Sequence, residues 1–84
     1  MKKVTIYTGP MCNYCEAAKR LLKRNNVPYS EIDVVEVEGA KDEMIQRANG
    51  KRTIPQIFFD DQHIGGYDEV RALEKENKLQ ELLK

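Results

Sequence analysis

Two cysteines, Cys12 and Cys15, lie where a short β-like run meets a helical pattern, and this junction constrains the fold more than any other feature. The run Val4–Tyr7 is rich in β-branched and aromatic residues, which predicts a strand. A Gly-Pro turn follows, and apolar residues then recur at helical spacing over Tyr14–Arg24. Cys12 is therefore expected at a helix N-terminus, where unpaired backbone N–H groups favour the negative charge of a reactive thiolate.

The C-x-x-C spacing places Cys15 beside Cys12 on one helix face, at a separation that suits a disulfide. In a chain of alternating strands and helices, this spacing is more typical of a redox pair than of inert buried cysteines. A structural zinc site requires four ligands, and beyond the pair the chain offers only His63. We therefore expect no metal site within one chain, and we interpret His63 as an exposed strand residue without a catalytic role.

The length and charge of the chain limit its function. A chain of 84 residues predicts one domain spanning residues 1–84. Its 14 basic and 14 acidic residues leave a formal net charge of +0, which argues against nucleic-acid binding. No stretch approaches the roughly 20 apolar residues of a membrane helix, and Thr5 and Thr8 interrupt the apolar run of a signal peptide. We expect a cytoplasmic monomer, in which a lone cysteine pair is more often catalytic than structural.

Strands and helices alternate along the rest of the chain. Residues Tyr29–Val34 predict a second strand, parallel to the first because the crossover between them is mostly helical. Apolar residues from Val37 to Ala48 recur at helical spacing. Gln56–Phe59 and Gln62–Ile64 predict an antiparallel hairpin, and helical patterns follow it. The first strand is expected at the centre of the sheet, with the cysteines at its carboxyl end.

This order, β-α-β-α-β-β-α with C-x-x-C opening the first helix, resembles that of glutaredoxins, and three motifs carry the resemblance over essentially the whole chain. The first is Tyr7-Thr8-x-Pro10-x-Cys12-x-Tyr14-Cys15. The second is Thr53-Ile54-Pro55, which is similar to the family's Thr-Val-Pro. The third is Gly65-Gly66-Tyr67-Asp68-Glu69, which is similar to the family's Gly-Gly-x-Asp-Asp/Glu. The resemblance implies the α/β thioredoxin-like fold, a four-stranded mixed sheet flanked by helices. It also implies a glutathione-dependent thiol–disulfide oxidoreductase with Cys12 and Cys15 as catalytic residues, acting on protein or small-molecule disulfides and glutathione mixed disulfides.

The resemblance further implies how glutathione binds. The Ile54–Pro55 bond is expected to be cis, so that the Ile54 backbone pairs with the cysteine part of glutathione as an added strand would. Free N–H groups at the helix start near Gly66 are expected to bind the γ-glutamyl carboxylate. Asp68 would face the ligand's ammonium group and also cap the helix. The expected glutathione-binding residues are Tyr14, Lys51, Thr53, Ile54, Pro55, Gly66, Tyr67 and Asp68. No cofactor is expected to bind tightly: glutathione is the co-substrate, and disulfide-bearing or glutathionylated proteins are the partners.

Two departures from the family pattern keep alternatives open. Gly9 stands where glutaredoxins commonly carry a lysine, which removes a cation near the thiolate and the glycyl carboxylate. Lys51 or Arg52 would compensate mainly at the carboxylate. Asn13 replaces the usual proline after the first cysteine, a change that some family members combine with a [2Fe-2S] cluster shared between two subunits. A redoxin reduced by thioredoxin reductase is the other alternative, and the Gly-Gly-Tyr-Asp-Glu motif argues against it.

Overall fold

A four-stranded sheet organises the chain, and the computed structural model describes all 84 residues. In chain order the elements are β1 (Val4–Thr8), α1 (Asn13–Arg24), β2 (Ser30–Asp33), α2 (Ala40–Arg47), β3 (Gln56–Phe59), β4 (Gln62–Gly65), α3 (Tyr67–Lys75) and α4 (Leu79–Leu83). The predicted order of strands and helices is confirmed. The C-terminal helical region is divided into α3 and α4 by a turn in which Asn77 has a positive φ of 57°.

The strands lie in the order β2-β1-β3-β4, so β1 is interior, as predicted. It pairs in parallel with β2, with Thr8 opposite Asp33. On its other side it pairs antiparallel with β3, with Tyr7 opposite Gln56. Because β3 runs the other way, its first residue lies beside the carboxyl end of β1. The loop that precedes Gln56 is therefore brought to the edge of the sheet where the cysteine pair begins.

Alternate residues of the strands pack into two cores on opposite faces of the sheet, as the two-residue period of a strand requires. The larger core lies under α1, α3 and α4 and contains Val4, Ile6, Ala18, Leu21, Leu22, Val27, Ile57, Phe59, Val70, Leu79 and Leu83. The smaller core lies under α2 and contains Tyr7, Met44, Ala48 and Phe58. Burial on both faces holds β1 and β3, and hence the loops at their ends, in a defined position.

Element boundaries differ from the predicted ones in several places, including α1, β2 and α2. Helix α1 begins one residue early, at Asn13. Strand β2 is shorter than Tyr29–Val34, because the Asp33 carboxylate accepts hydrogen bonds from the N–H groups of Val35 and Glu36 at 2.8 and 3.1 Å and turns the chain. Helix α2 begins at Ala40 instead of near Val37.

The later start of α2 has a local cause. Gly39, which precedes the helix, has a φ of 82°, a left-handed conformation that glycine adopts readily and that a continuous helix excludes. Val37 consequently lies in a turn and is 49% exposed instead of packing on the sheet. None of the helices is both long enough and apolar enough to span a membrane.

Candidate active site

Cys12 and Cys15 lie at the start of α1, as the sequence predicted. Their Cα atoms are 5.2 Å apart and the two sulfurs are joined as a disulfide. Cys12 is the N-cap residue, with extended backbone angles of −114° and 101°. Cys15 is completely buried and Cys12 is half-buried. Of the two sulfurs, that of Cys12 is therefore the one that a substrate reaches from solvent.

The N-terminus of α1 stabilises negative charge on Cys12. The Cys15 backbone N–H donates to Cys12 Sγ over 3.1 Å. In the reduced protein the same N–H, together with the positive end of the helix dipole beside it, favours negative charge on Cys12 Sγ. Cys12 is therefore the accessible sulfur at the helix N-terminus, and Cys15 is the buried sulfur within bonding reach of it.

The loop before β3 faces the cysteine pair. The Ile54–Pro55 bond is cis, as expected, and the Ile54 carbonyl oxygen lies 3.9 Å from Cys12 Sγ. A Cβ atom on Gly9 would lie only 2.7 Å from Ile54 Cδ1. Gly9 therefore lets the loop that carries Ile54 approach the loop that carries Cys12.

A groove of about 260 Å³ opens between this loop and the start of α3. It is lined by Tyr14, Lys51, Thr53, Ile54, Pro55, Gln56, Gly66, Tyr67, Asp68 and Glu69. All eight residues predicted to bind glutathione line this one groove, although they come from three separate parts of the sequence. Arg52, the other candidate cation, is not among the lining residues.

Two lining residues, Gln56 and Glu69, were not predicted. The sequence signal for Gln56 was its position as the first strand residue after Pro55, at the end of the strand that adjoins the predicted binding loop. The signal for Glu69 was its position three residues after Gly66, which is the spacing of a capping box.

The start of α3 is capped by Glu69 and not by Asp68, so the predicted capping role of Asp68 is wrong. The Gly66 N–H donates to Glu69 Oε1 over 2.6 Å. An acidic side chain three residues into a helix reaches back to the N-cap more easily than one in its first two residues. Asp68 is left exposed at the groove, and the first-turn N–H groups of Tyr67 and Asp68 have no acceptor within the helix.

The aromatic ring of Tyr67 also forms part of the groove wall. It lies 5.8 Å from the ring of Tyr14, centroid to centroid, with the planes tilted by 34°. This pair joins the start of α3 to the first turn of α1, which carries the cysteines. The groove wall therefore includes two neighbouring aromatic rings.

The prediction that His63 lies in a strand is confirmed, but the prediction that it is exposed is wrong. His63 is half-buried, its ring lies 5.1 Å from the ring of Phe58, and its Nε2 lies 2.6 Å from Gln56 Oε1. Burial lowers the pKa of His63, and the positive charge of Lys51 lowers it further, while Glu69 opposes the shift. Strand alternation alone did not reveal this, because Gln56 reaches His63 only across the β3–β4 pair.

A mixed four-stranded sheet, a C-x-x-C pair at a helix start and a cis-proline loop facing it together define a thiol–disulfide oxidoreductase of the thioredoxin-like fold. A family model described as Glutaredoxin matches residues 4–64. A probable glutaredoxin of Synechocystis is 48% identical over 81 residues, which cover 96% of this chain and 92% of the relative. The chain belongs to the glutaredoxin family.

Solved structures agree with this assignment. The solution structure of a glutaredoxin from Brucella melitensis is 46% identical with a TM-score of 0.85, over 100% of this chain and 90% of that one. The crystal structure of a buckwheat glutaredoxin–glutathione complex is 26% identical with a TM-score of 0.86, over 98% of this chain and 76% of that one. The predicted thioredoxin-like fold is thus confirmed.

Proposed function

We propose that this protein is a glutathione-dependent oxidoreductase that reduces protein or small-molecule disulfides and glutathione mixed disulfides. The observation that carries the proposal is the groove beside Cys12, which brings together all eight residues expected to bind glutathione. The buckwheat glutaredoxin, which shares the fold, has been crystallised in complex with glutathione.

The groove is complementary to the ends of this tripeptide. Glutathione has a carboxylate at each end and an ammonium group at its glutamyl end. The N–H groups that begin α3 suit the glutamyl carboxylate, and the uncommitted Asp68 carboxylate suits the adjacent ammonium. Lys51, at the Thr53 end of the groove, supplies a cation for the glycyl carboxylate.

The centre of the tripeptide would lie along Ile54. The Ile54 carbonyl oxygen faces Cys12 at 3.9 Å. An extended peptide that pairs with the Ile54 backbone would place its own cysteine sulfur close to Cys12 Sγ. The groove would thereby orient the sulfur–sulfur bond that has to be attacked.

The reaction on a glutathionylated protein then has two steps. The Cys12 thiolate attacks the glutathione sulfur, the mixed disulfide breaks, and the protein thiolate leaves and takes a proton from water. A second glutathione, as thiolate, attacks the Cys12–glutathione disulfide, which releases glutathione disulfide and restores Cys12. One disulfide is consumed and one is formed, so electrons balance.

A protein disulfide uses both cysteines. Cys12 forms a mixed disulfide with the substrate, and the Cys15 thiolate then attacks Cys12 Sγ, releasing the second substrate thiol. This route leaves a Cys12–Cys15 disulfide, the pairing that the geometry of the two sulfurs allows. Two molecules of glutathione return the pair to the dithiol form and leave as glutathione disulfide.

Turnover coupled to glutathione reductase tests the proposal. Cys12→Ser should abolish reduction of both substrate types. Cys15→Ser, the matched control, should lose reduction of a protein disulfide but keep that of a glutathione mixed disulfide. Activity with thioredoxin reductase but not with glutathione would contradict the proposal, and a brown, glutathione-dependent dimer after anaerobic purification would favour the [2Fe-2S] alternative.

A further inference from the structure

A chain of hydrogen bonds runs from β4 to the loop that lines the groove. His63 Nε2 lies 2.6 Å from Gln56 Oε1. Gln56 Nε2 donates to the Thr53 carbonyl oxygen over 3.0 Å and to Thr53 Oγ1 over 3.1 Å. Gln56 is only 2% exposed, so its side-chain amide is shielded from water.

The chemistry of the partners determines the direction of every bond in this chain. The Thr53 carbonyl oxygen can only accept, so the Gln56 amide must present its NH₂ group to it. The amide oxygen of Gln56 then faces His63, and because that oxygen can only accept, His63 Nε2 must carry a proton. Burial lowers the pKa of His63, which favours the neutral ring with its single proton on Nε2.

The Gln56 side chain reaches back over Ile54 and Pro55 to hold Thr53. Ile54 is thus held between two fixed points, the start of β3 and the bonded Thr53. The Ile54 carbonyl oxygen is the backbone group that faces Cys12 Sγ at 3.9 Å. Any loosening of Thr53 therefore changes the backbone along which a peptide ligand would pair.

We propose that His63 is a positioning residue for the groove: through Gln56 it holds Thr53 and so places the Ile54 backbone for glutathione. The inference rests on the proposed function. His63 is itself held by the ring of Phe58, which is buried in the smaller core. The hydrogen bonds from His63 through Gln56 to Thr53 thus anchor the loop to the core, although the other side of that loop is open to solvent.

Two substitutions of His63 separate the hydrogen bond from the packing. His63→Phe keeps a flat ring against Phe58 but leaves Gln56 Oε1 without a donor, whereas His63→Gln keeps a donor at the end of a side chain of similar reach. For a glutathione mixed-disulfide peptide, His63→Phe should raise KM about fivefold, as expected for one lost hydrogen bond, with little change in kcat. His63→Gln should restore KM to within about twofold of wild type.

An unchanged KM in His63→Phe would overturn the inference, as would equal damage by His63→Gln. The Gln56→Met variant already lacks the hydrogen bonds that link His63 to Thr53. In that background, His63→Phe should have no further effect on KM. Additive effects of the two substitutions would also contradict it.

A measurement on the wild type does not depend on how variants fold. Long-range ¹H–¹⁵N correlation spectra at neutral pH should show His63 protonated on Nε2 and unprotonated on Nδ1, and the opposite tautomer would overturn the inference. A wild type that does not use glutathione would instead refute the proposed function. A glutathione-dependent wild type with an unaffected His63→Phe variant would refute the positioning role alone.

Discussion

Replacing Gly9 by alanine tests how closely the two active-site loops are fitted. The added Cβ would lie 2.7 Å from Ile54 Cδ1, about 0.7 Å nearer than ordinary contact. Ile54 is half-buried against the smaller core and can relieve the contact only by leaving its preferred rotamer or by moving its loop. Either response displaces the residue that faces Cys12.

The expected energies are small but distinguishable. An off-rotamer side chain costs about 0.5–1.5 kcal/mol. Alanine recovers about 0.4–1 kcal/mol by restricting the unfolded chain, because Gly9 does not have a positive φ. Gly9→Ala alone should therefore lower the free energy of unfolding by roughly 0–1 kcal/mol. In an Ile54→Val background, which removes Cδ1, the same change should raise it by about 0.5 kcal/mol.

The assay is a double-mutant cycle on Gly9→Ala and Ile54→Val. Urea unfolding of the four proteins should give a coupling of about 1 kcal/mol, with the double variant more stable than the sum of the single effects predicts. Turnover of a glutathione mixed disulfide should fall in Gly9→Ala and recover in the double variant. Additivity within about 0.3 kcal/mol would refute the argument that these loops are in close contact.

Three further predictions concern acidic residues. Arg24 donates two hydrogen bonds to Glu74 and lowers the pKa of its carboxyl to about 2. Because solvent screens this exposed pair, Glu74→Gln should lower the free energy of unfolding, measured with urea at pH 7, by about 1 kcal/mol. A lowered pKa stabilises the fold above the ordinary value of 4.5, so this deficit should shrink as pH falls from 4.5 toward 2. Glu69→Ala should lower the free energy of unfolding by about 1 kcal/mol in urea unfolding through loss of the α3 cap. Asp68→Asn should leave that free energy within about 0.5 kcal/mol of wild type and raise KM for glutathione several-fold in the coupled assay.

Each of these three has a contradicting result. A deficit of Glu74→Gln that persists unchanged at pH 3 would show that packing, not charge, is lost. Glu69→Gln keeps an acceptor for the Gly66 N–H, so it should retain most of the stability lost in Glu69→Ala. Equal losses in the two Glu69 variants would contradict the capping role. An unchanged KM in Asp68→Asn would remove Asp68 from the binding site.

The redox pair and the elements around it were predicted from the sequence, because the physics that defines them is local. A turn before Cys12 and helical spacing after it determine the N-cap position, and the C-x-x-C spacing determines the approach of the sulfurs. Two-residue alternation in β1 places Ile6 and Tyr7 on opposite faces whatever surrounds them. Each of these relations acts within about one helical turn or a few strand residues.

Predictions that residue spacing alone could not decide were less successful. His63 was assigned to the surface because no local pattern shows that Gln56 and Phe58 bury it from the neighbouring strand. Val37 was assigned to a helix because its spacing fits, although the left-handed Gly39 ends that spacing. The Asp68 cap was wrong because two acidic residues compete and only the geometry of the turn decides between them.

What the sequence by itself determined is the redox pair: one cysteine at a helix start and a second cysteine within bonding reach. What only the tertiary structure decided is where a ligand can lie beside it. The groove joins Tyr14, Thr53 and Tyr67, which meet because β1 pairs antiparallel with β3 and α3 packs against α1 and β4. Such contacts depend on the register between strands and on the packing of both cores, which no local interaction along the chain specifies.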